Sequence, residues 1–231
     1  MPPKLDSAPS EPSAINGGTH PAPREINTFD GARAYLHRWD FFKTRPAPPA
    51  TGRIKRWAQL SATGNINKAG SVGSSESAMF LPFQAGFEEV VEPGILPLVR
   101  YVALELDYVT YTSCAGHHYS ASGSGDERRL GILPRNPAEY EEVLGLARRA
   151  VSLCNEALPG EGIRMEIVEG GLSDRGTVLD VLDIYFAKAR SIDWQRYFEE
   201  VDAATALFIE SLRQAVVQNK ARSKETGELT L

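Results

Sequence analysis

Long apolar runs are missing from this sequence. No segment approaches the ~20 successive apolar residues that a membrane-spanning helix requires, and the opening MPPKLDSAPSEPSA holds no apolar core of the kind a secretory signal carries. Cysteine is scarce as well. Cys114 and Cys154 are the only two, too few for a disulfide framework, so free thiols and a cytoplasmic location are expected. There is no excess of positive charge either: the formal net charge is −5, which argues against a protein that coats nucleic acid through its overall charge. No repeat at solenoid periods is visible. The Gly/Ser stretch GSVGSSES is no phosphate-binding P-loop, because it lacks the Gly-Lys-Ser/Thr ending and no apolar strand feeds it.

What the chain does have is material for one sizeable core, 231 residues at 42% apolar content. Residues 1–27 are rich in Pro, Ser, Ala and Gly without periodicity, and read as a disordered tail. Residues 28–78 read as a basic helical arm followed by a Gly/Ser-rich connection. Between Thr28 and Leu60, seven Lys or Arg stand against two acids, and Arg53, Lys55 and Arg56 form its densest basic group, a candidate nucleic-acid contact. In the arm's helix, Ala34, Leu36, Trp39 and Phe41 or Phe42 are expected to share a face.

Residues 79–219 read as a compact domain and 220–231 as a charged tail. The spacing of Ile95, Leu98 or Val99, Val102 and Leu106 predicts a helix that delivers the chain into a strand from Asp107 to Ser113. A Gly/Ser-rich loop separates this strand from a second at RRLGILP. Asn136 as N-cap, Pro137 at the first helical position and Glu139 three residues after the cap predict a helix, whose stripe includes Val143, Ala150, Val151 and Cys154. Cys154 is therefore expected to be a buried, inert thiol. IRMEIVE alternates as a strand, GGLSDRG reads as a turn, and TVLDVLDIYFAKA reads as a central strand. A long helix from Asp193 follows, with Trp194, Val201, Thr205, Phe208 and Leu212 down one side. Paired strands with helices between them imply an α+β fold: about four strands in an antiparallel or mixed sheet, with helices on one face.

The chemistry concentrates at the end of the first strand of this domain. Cys114, His117 and His118 fall within five residues, and two of the protein's four histidines are adjacent there. Gly116 between them permits φ > 0 and a sharp turn. A thiol beside an imidazole can be held as thiolate and act as a nucleophile, or the imidazole can act as general base. Cys-x-x-His also suits half a zinc site. The other half is not evident, since Cys154 lies on a helix face and only His37 and carboxylates remain, so no metal is assigned. Thr112, Ser113 and Gly116 are candidate ligand contacts. Arg128 and Arg129, across the Gly/Ser-rich loop, are candidates to grip an anionic substrate. A structural strand-end turn with solvated histidines is the competing reading.

The stretch VVEPGILPLVRYVALELDYVTYTSCAGHHY resembles a segment of the wybutosine-synthesis tRNA methyltransferase family, in which a helix leads into a strand ending Asp-Tyr-x-Thr-Thr-Ser-Ser-Cys-Ser-Gly-Arg. The matching residues are Asp107, Tyr108, Thr110, Thr112, Ser113, Cys114 and Gly116. His117 stands where that family has arginine, and is similar instead to uncharacterised bacterial and phage proteins with a Ser-Cys-x-Gly-His corner. The resemblance implies a transferase that uses S-adenosylmethionine on a nucleotide in RNA, with the basic arm on phosphates. Two functions follow as expectations: an enzyme or small-ligand-binding domain acting on an anionic substrate at the Cys/His corner, or an accessory module that binds a protein or nucleic acid through its basic arm and final helix. Either is compatible with an oligomer.

Overall fold

The computed structural model describes residues 26–28, 31–47, 81–119 and 123–225. Most of the expected tail, the Gly/Ser-rich connection, and Arg53, Lys55 and Arg56 lie outside the described residues. The elements in chain order are β1 (Ile26–Thr28), α1 (Ala32–Phe42), α2 (Phe87–Val90), α3 (Leu96–Arg100), a π-helical turn (Tyr101–Glu105), β2 (Thr110–Cys114), β3 (His117–Tyr119), β4 (Ser124–Asp126), β5 (Arg128–Ile132), α4 (Pro137–Ala157), β6 (Ile163–Asp174), β7 (Thr177–Lys188) and α5 (Trp194–Glu225). Among the described residues no helix is long and apolar enough to cross a membrane.

The fold is α+β. Five strands form one mixed sheet in the order β1-β6-β7-β5-β2, and β3 and β4 form a separate hairpin. β1 runs parallel to β6, and the other pairs are antiparallel. Successive strand residues point to opposite faces, which sorts the core in two. Met165, Leu182, Ile184, Phe186 and Leu130 face α3, α4 and α5. Phe186 meets Phe208 of α5 edge to face, with ring centroids 5.9 Å apart. On the opposite face Leu172 and Val181 pack against Ala32, Tyr35 and Trp39 of α1.

α4 forms where its local signals lie. The Asn136 side chain accepts from the Glu139 N–H at 3.0 Å, which satisfies one of the N–H groups left open at a helix start. Glu139 reaches back to the Arg135 N–H. The stripe Val143, Ala147, Ala150 and Cys154 is buried, and burial pushes the Cys154 thiol up to about 11, as befits an inert packing residue.

Four expectations need correction. The buried face of α1 is Ala32, Tyr35 and Trp39, not one containing Ala34, because Tyr35 turns inward to donate to Thr110 O at 3.2 Å. Nor is this segment a separate arm: Asp174 accepts from the N–H groups of Gly31 and Arg33, which ties the start of α1 to the sheet. Gly170 to Asp174 are strand rather than turn. β1 pairs with them on one side and β7 on the other, and that double pairing overrides the weak strand propensity of glycine. The turn is only Arg175-Gly176, both with φ > 0 (52° and 85°), the two-residue loop whose twist suits a hairpin. Finally, the helix of α5 runs to Glu225, past the expected tail boundary at Lys220.

Candidate functional site

β2 ends at Cys114, and the chain turns at Ala115-Gly116 into β3. Gly116 has φ 92°, and a Cβ there would stand 3.0 Å from both Asp126 O and Phe198 Cε1. The glycine is therefore needed for its backbone conformation and for close approach. Ala115 is fully buried and pinned from both sides: its N–H donates to Glu92 Oε2, and its carbonyl accepts from Arg128 Nε at 3.1 Å. The expected Gly/Ser-rich loop is in part the hairpin partner. Residues 120–122 lie outside the described residues, but Ser124–Asp126 pair with His117–Tyr119. Gly125 makes this possible, since a Cβ there would sit 2.6 Å from both His117 O and the Trp194 ring.

Glu92, at the approach to α3, completes the corner. Its Oε1 lies 3.2 Å from His117 Nε2, and one ligand atom each of Glu92, Cys114 and His117 lie within 4.8 Å of one another. Cys114 Sγ also accepts from the Gly116 N–H at 3.4 Å. Glu92 is only 7% exposed. Burial is the main influence on its carboxyl and raises its pKa, against the opposing pull of the Ala115 N–H and the nearby charges of His117 and Arg128.

The surroundings of Cys114 disfavour the expected thiolate. Burial first, and the neighbouring Glu92 charge second, push the Cys114 thiol up to about 12, so the free sulfur is protonated at neutral pH. The arrangement is also not a nucleophile-base-acid relay. In such a relay the acid sits on the far nitrogen of the ring; two hydrogen bonds of about 2.8 Å and a ring width of about 2 Å separate it from the nucleophile by roughly 7 Å. Here the three groups form a triangle.

Alternation along β5 separates the two arginines. Arg128 turns inward and is fully buried. Besides Ala115 O it donates to Val201 O at 3.2 Å, Thr205 Oγ1 at 2.6 Å and Asp202 Oδ1 at 2.7 Å. It is a strut between the corner and α5, and the expectation that it grips substrate is corrected. Arg129 is exposed and stands directly across from Cys114 in the β2–β5 pairing. It lines a cavity of about 380 Å³ together with Cys114, Tyr185 and Trp194, and with Gly125, Asp126 and Glu127. The two acids are engaged elsewhere: Asp126 accepts from Tyr119 OH at 2.7 Å and Glu127 from the Lys188 N–H at 2.6 Å. Arg129 donates to the Tyr185 hydroxyl at 3.3 Å; the Asp183 carboxylate acts on it electrostatically, but no carboxylate lies within ion-pair distance of it among the described residues.

The structure thus brings Cys114, His117, Gly116 and Arg129 to one place. His118 follows His117 on β3 and projects to the other face of the hairpin, outside the triangle. Thr112 and Ser113 pair with Gly131 and Leu130 and do not line the cavity. His37, weighed as a further ligand, stacks on Phe41 along α1 with centroids 6.2 Å apart. The sequence does not single out Glu92 or Tyr185, and Trp194 is expected from it only as a helix-face residue; the one local hint is a carboxylate directly ahead of Pro93 at a helix approach. No family model, curated protein or solved structure matches the chain.

Proposed function

We propose that the β2–β3 corner and its cavity form the site of an enzyme or small-ligand-binding protein acting on a small anionic molecule. One observation carries this reading: a carboxyl, a thiol and an imidazole converge beside a cavity whose wall presents an arginine that makes no direct ion pair among the described residues. A guanidinium in that position recognises phosphate or carboxylate through paired N–H groups. The cavity volume, about 380 Å³, suits a molecule of metabolite or mononucleotide size.

Thermal melting with inorganic phosphate, pyrophosphate and a nucleoside monophosphate as probes tests the reading. A probe present at ten times its Kd stabilises the fold by about 1.4 kcal/mol, a rise of about 3–6 °C in Tm for a domain of this size. The rise is expected to vanish in Arg129→Ala. The proposal fails if no probe raises Tm, or if the rise survives that substitution unchanged.

A further inference from the structure

We infer that Glu92, Cys114 and His117 together bind one zinc-type divalent cation, leaving a coordination position open beside the cavity. The role of that open position rests on the ligand-site reading above, whereas the ion site itself stands on its own geometry.

The donors are one carboxylate oxygen, one sulfur and one ring nitrogen, mutually within 4.8 Å. Zinc bonds of about 2.0–2.1 Å to N and O and about 2.3 Å to S set tetrahedral edges of about 3.3 Å for N to O and about 3.6 Å for S to N or O. The Glu92 Oε1 to His117 Nε2 distance of 3.2 Å already has that length. The sulfur needs at most about 1.2 Å of side-chain adjustment to meet the other edges.

Burial supplies a second, independent argument. His117 turns Nε2 toward Glu92, and its buried Nδ1, which has no hydrogen-bond partner among the described residues, takes no part in the ion site. The buried Glu92 carboxyl has no Lys or Arg ion pair among them. A buried carboxylate without a permanent cation beside it is costly, and a cation held between Glu92 Oε1 and His117 Nε2 would compensate it. Supporting contacts are in place: the Ala115 N–H fixes the carboxylate and the Gly116 N–H faces the sulfur, the kind of orienting bonds that metal ligands require.

The donor set selects the metal class. Sulfur with imidazole favours zinc over magnesium or calcium, which take oxygen ligands. Three protein ligands leave a fourth position free, the composition of reactive rather than closed structural zinc sites. Cys114 belongs to both the triangle and the cavity wall. An anionic oxygen of a ligand would occupy the open position while Arg129 holds the rest of its charge.

The experiment measures zinc in the purified full-length chain by elemental analysis, then titrates the chelator-treated protein with cobalt(II). One zinc per chain and a thiolate-to-cobalt charge-transfer band are expected. Cys114→Ser should remove the band, and Glu92→Gln and His117→Ala should each weaken cobalt binding at least about tenfold while far-UV circular dichroism stays native. Should Cys114→Ser not fold, the other two variants carry the comparison. A wild-type chain with neither zinc nor a cobalt band overturns the inference, even if Arg129-dependent stabilisation by phosphate persists and upholds the ligand site. Stoichiometric zinc without such stabilisation in the zinc-loaded protein leaves the metal site standing and overturns the ligand reading.

Discussion

Replacing Arg128 by Met separates a strut from a substrate-gripping side chain, because methionine keeps much of the apolar stem and deletes the guanidinium. The Asp202 end contributes little: that carboxylate is 69% exposed, and exposed ion pairs are worth at most about 1 kcal/mol. The weight lies at the buried end. Ala115 O has Arg128 as its partner among the described residues, and an orphaned buried carbonyl costs about 1–3 kcal/mol. Loss of the charge-assisted bond to Thr205 Oγ1 adds about 1.5–3 kcal/mol, softened because that hydroxyl keeps Val201 O as an acceptor at 2.8 Å. A total of about 3–5 kcal/mol is expected from these two buried bonds. At about 2–4 °C per kcal/mol this lowers Tm by roughly 6–20 °C, read by far-UV circular dichroism and checked by urea unfolding. Arg129→Met, at an exposed position, should stay within about 0.5 kcal/mol of wild type. An Arg128→Met protein that melts within about 2 °C of wild type would refute the strut.

Two further outcomes follow from the same geometry. Gly125→Ala places a methyl within 2.6 Å of His117 O and the Trp194 ring; overpacking of this kind costs about 1–3 kcal/mol, and the displaced hairpin should weaken phosphate-induced stabilisation, measured in the same melting assay. The Gly31 N–H first, then the Arg33 N–H and guanidinium, hold the Asp174 carboxyl below the usual carboxylate range. Since its folded pKa is the lower one, its contribution is complete above the unfolded value of about 3.9 and is lost as pH falls through the folded value. Urea midpoints at pH 6 and pH 3 should therefore differ more for wild type than for Asp174→Asn, and equal differences would remove this role.

What could be read without coordinates was local. Asn136, Pro137 and Glu139 announce the start of α4 within four residues, because a cap and a first turn involve only near neighbours. The stripe through Cys154 and the apolar run of β7 are equally local, and so is the glycine corner that joins Cys114 to His117. The chemistry of the site depends on separations that such signals do not reach. Glu92 meets Ala115 across 23 positions, and no spacing rule connects a carboxylate before α3 to a cysteine at the end of β2.

The amino-acid sequence by itself determined the α+β class, the helices with their caps, and a Cys-Gly-His corner at a strand end, since propensity, capping and period act over a few residues. Tertiary structure alone decided that Arg128 is sealed inside while its neighbour Arg129 faces the cavity, that Gly170 to Asp174 pair instead of turning, and that Glu92 joins the corner. Each of those outcomes depends on which strands lie side by side and in what register, and a shift of one residue would exchange every inward side chain for an outward one.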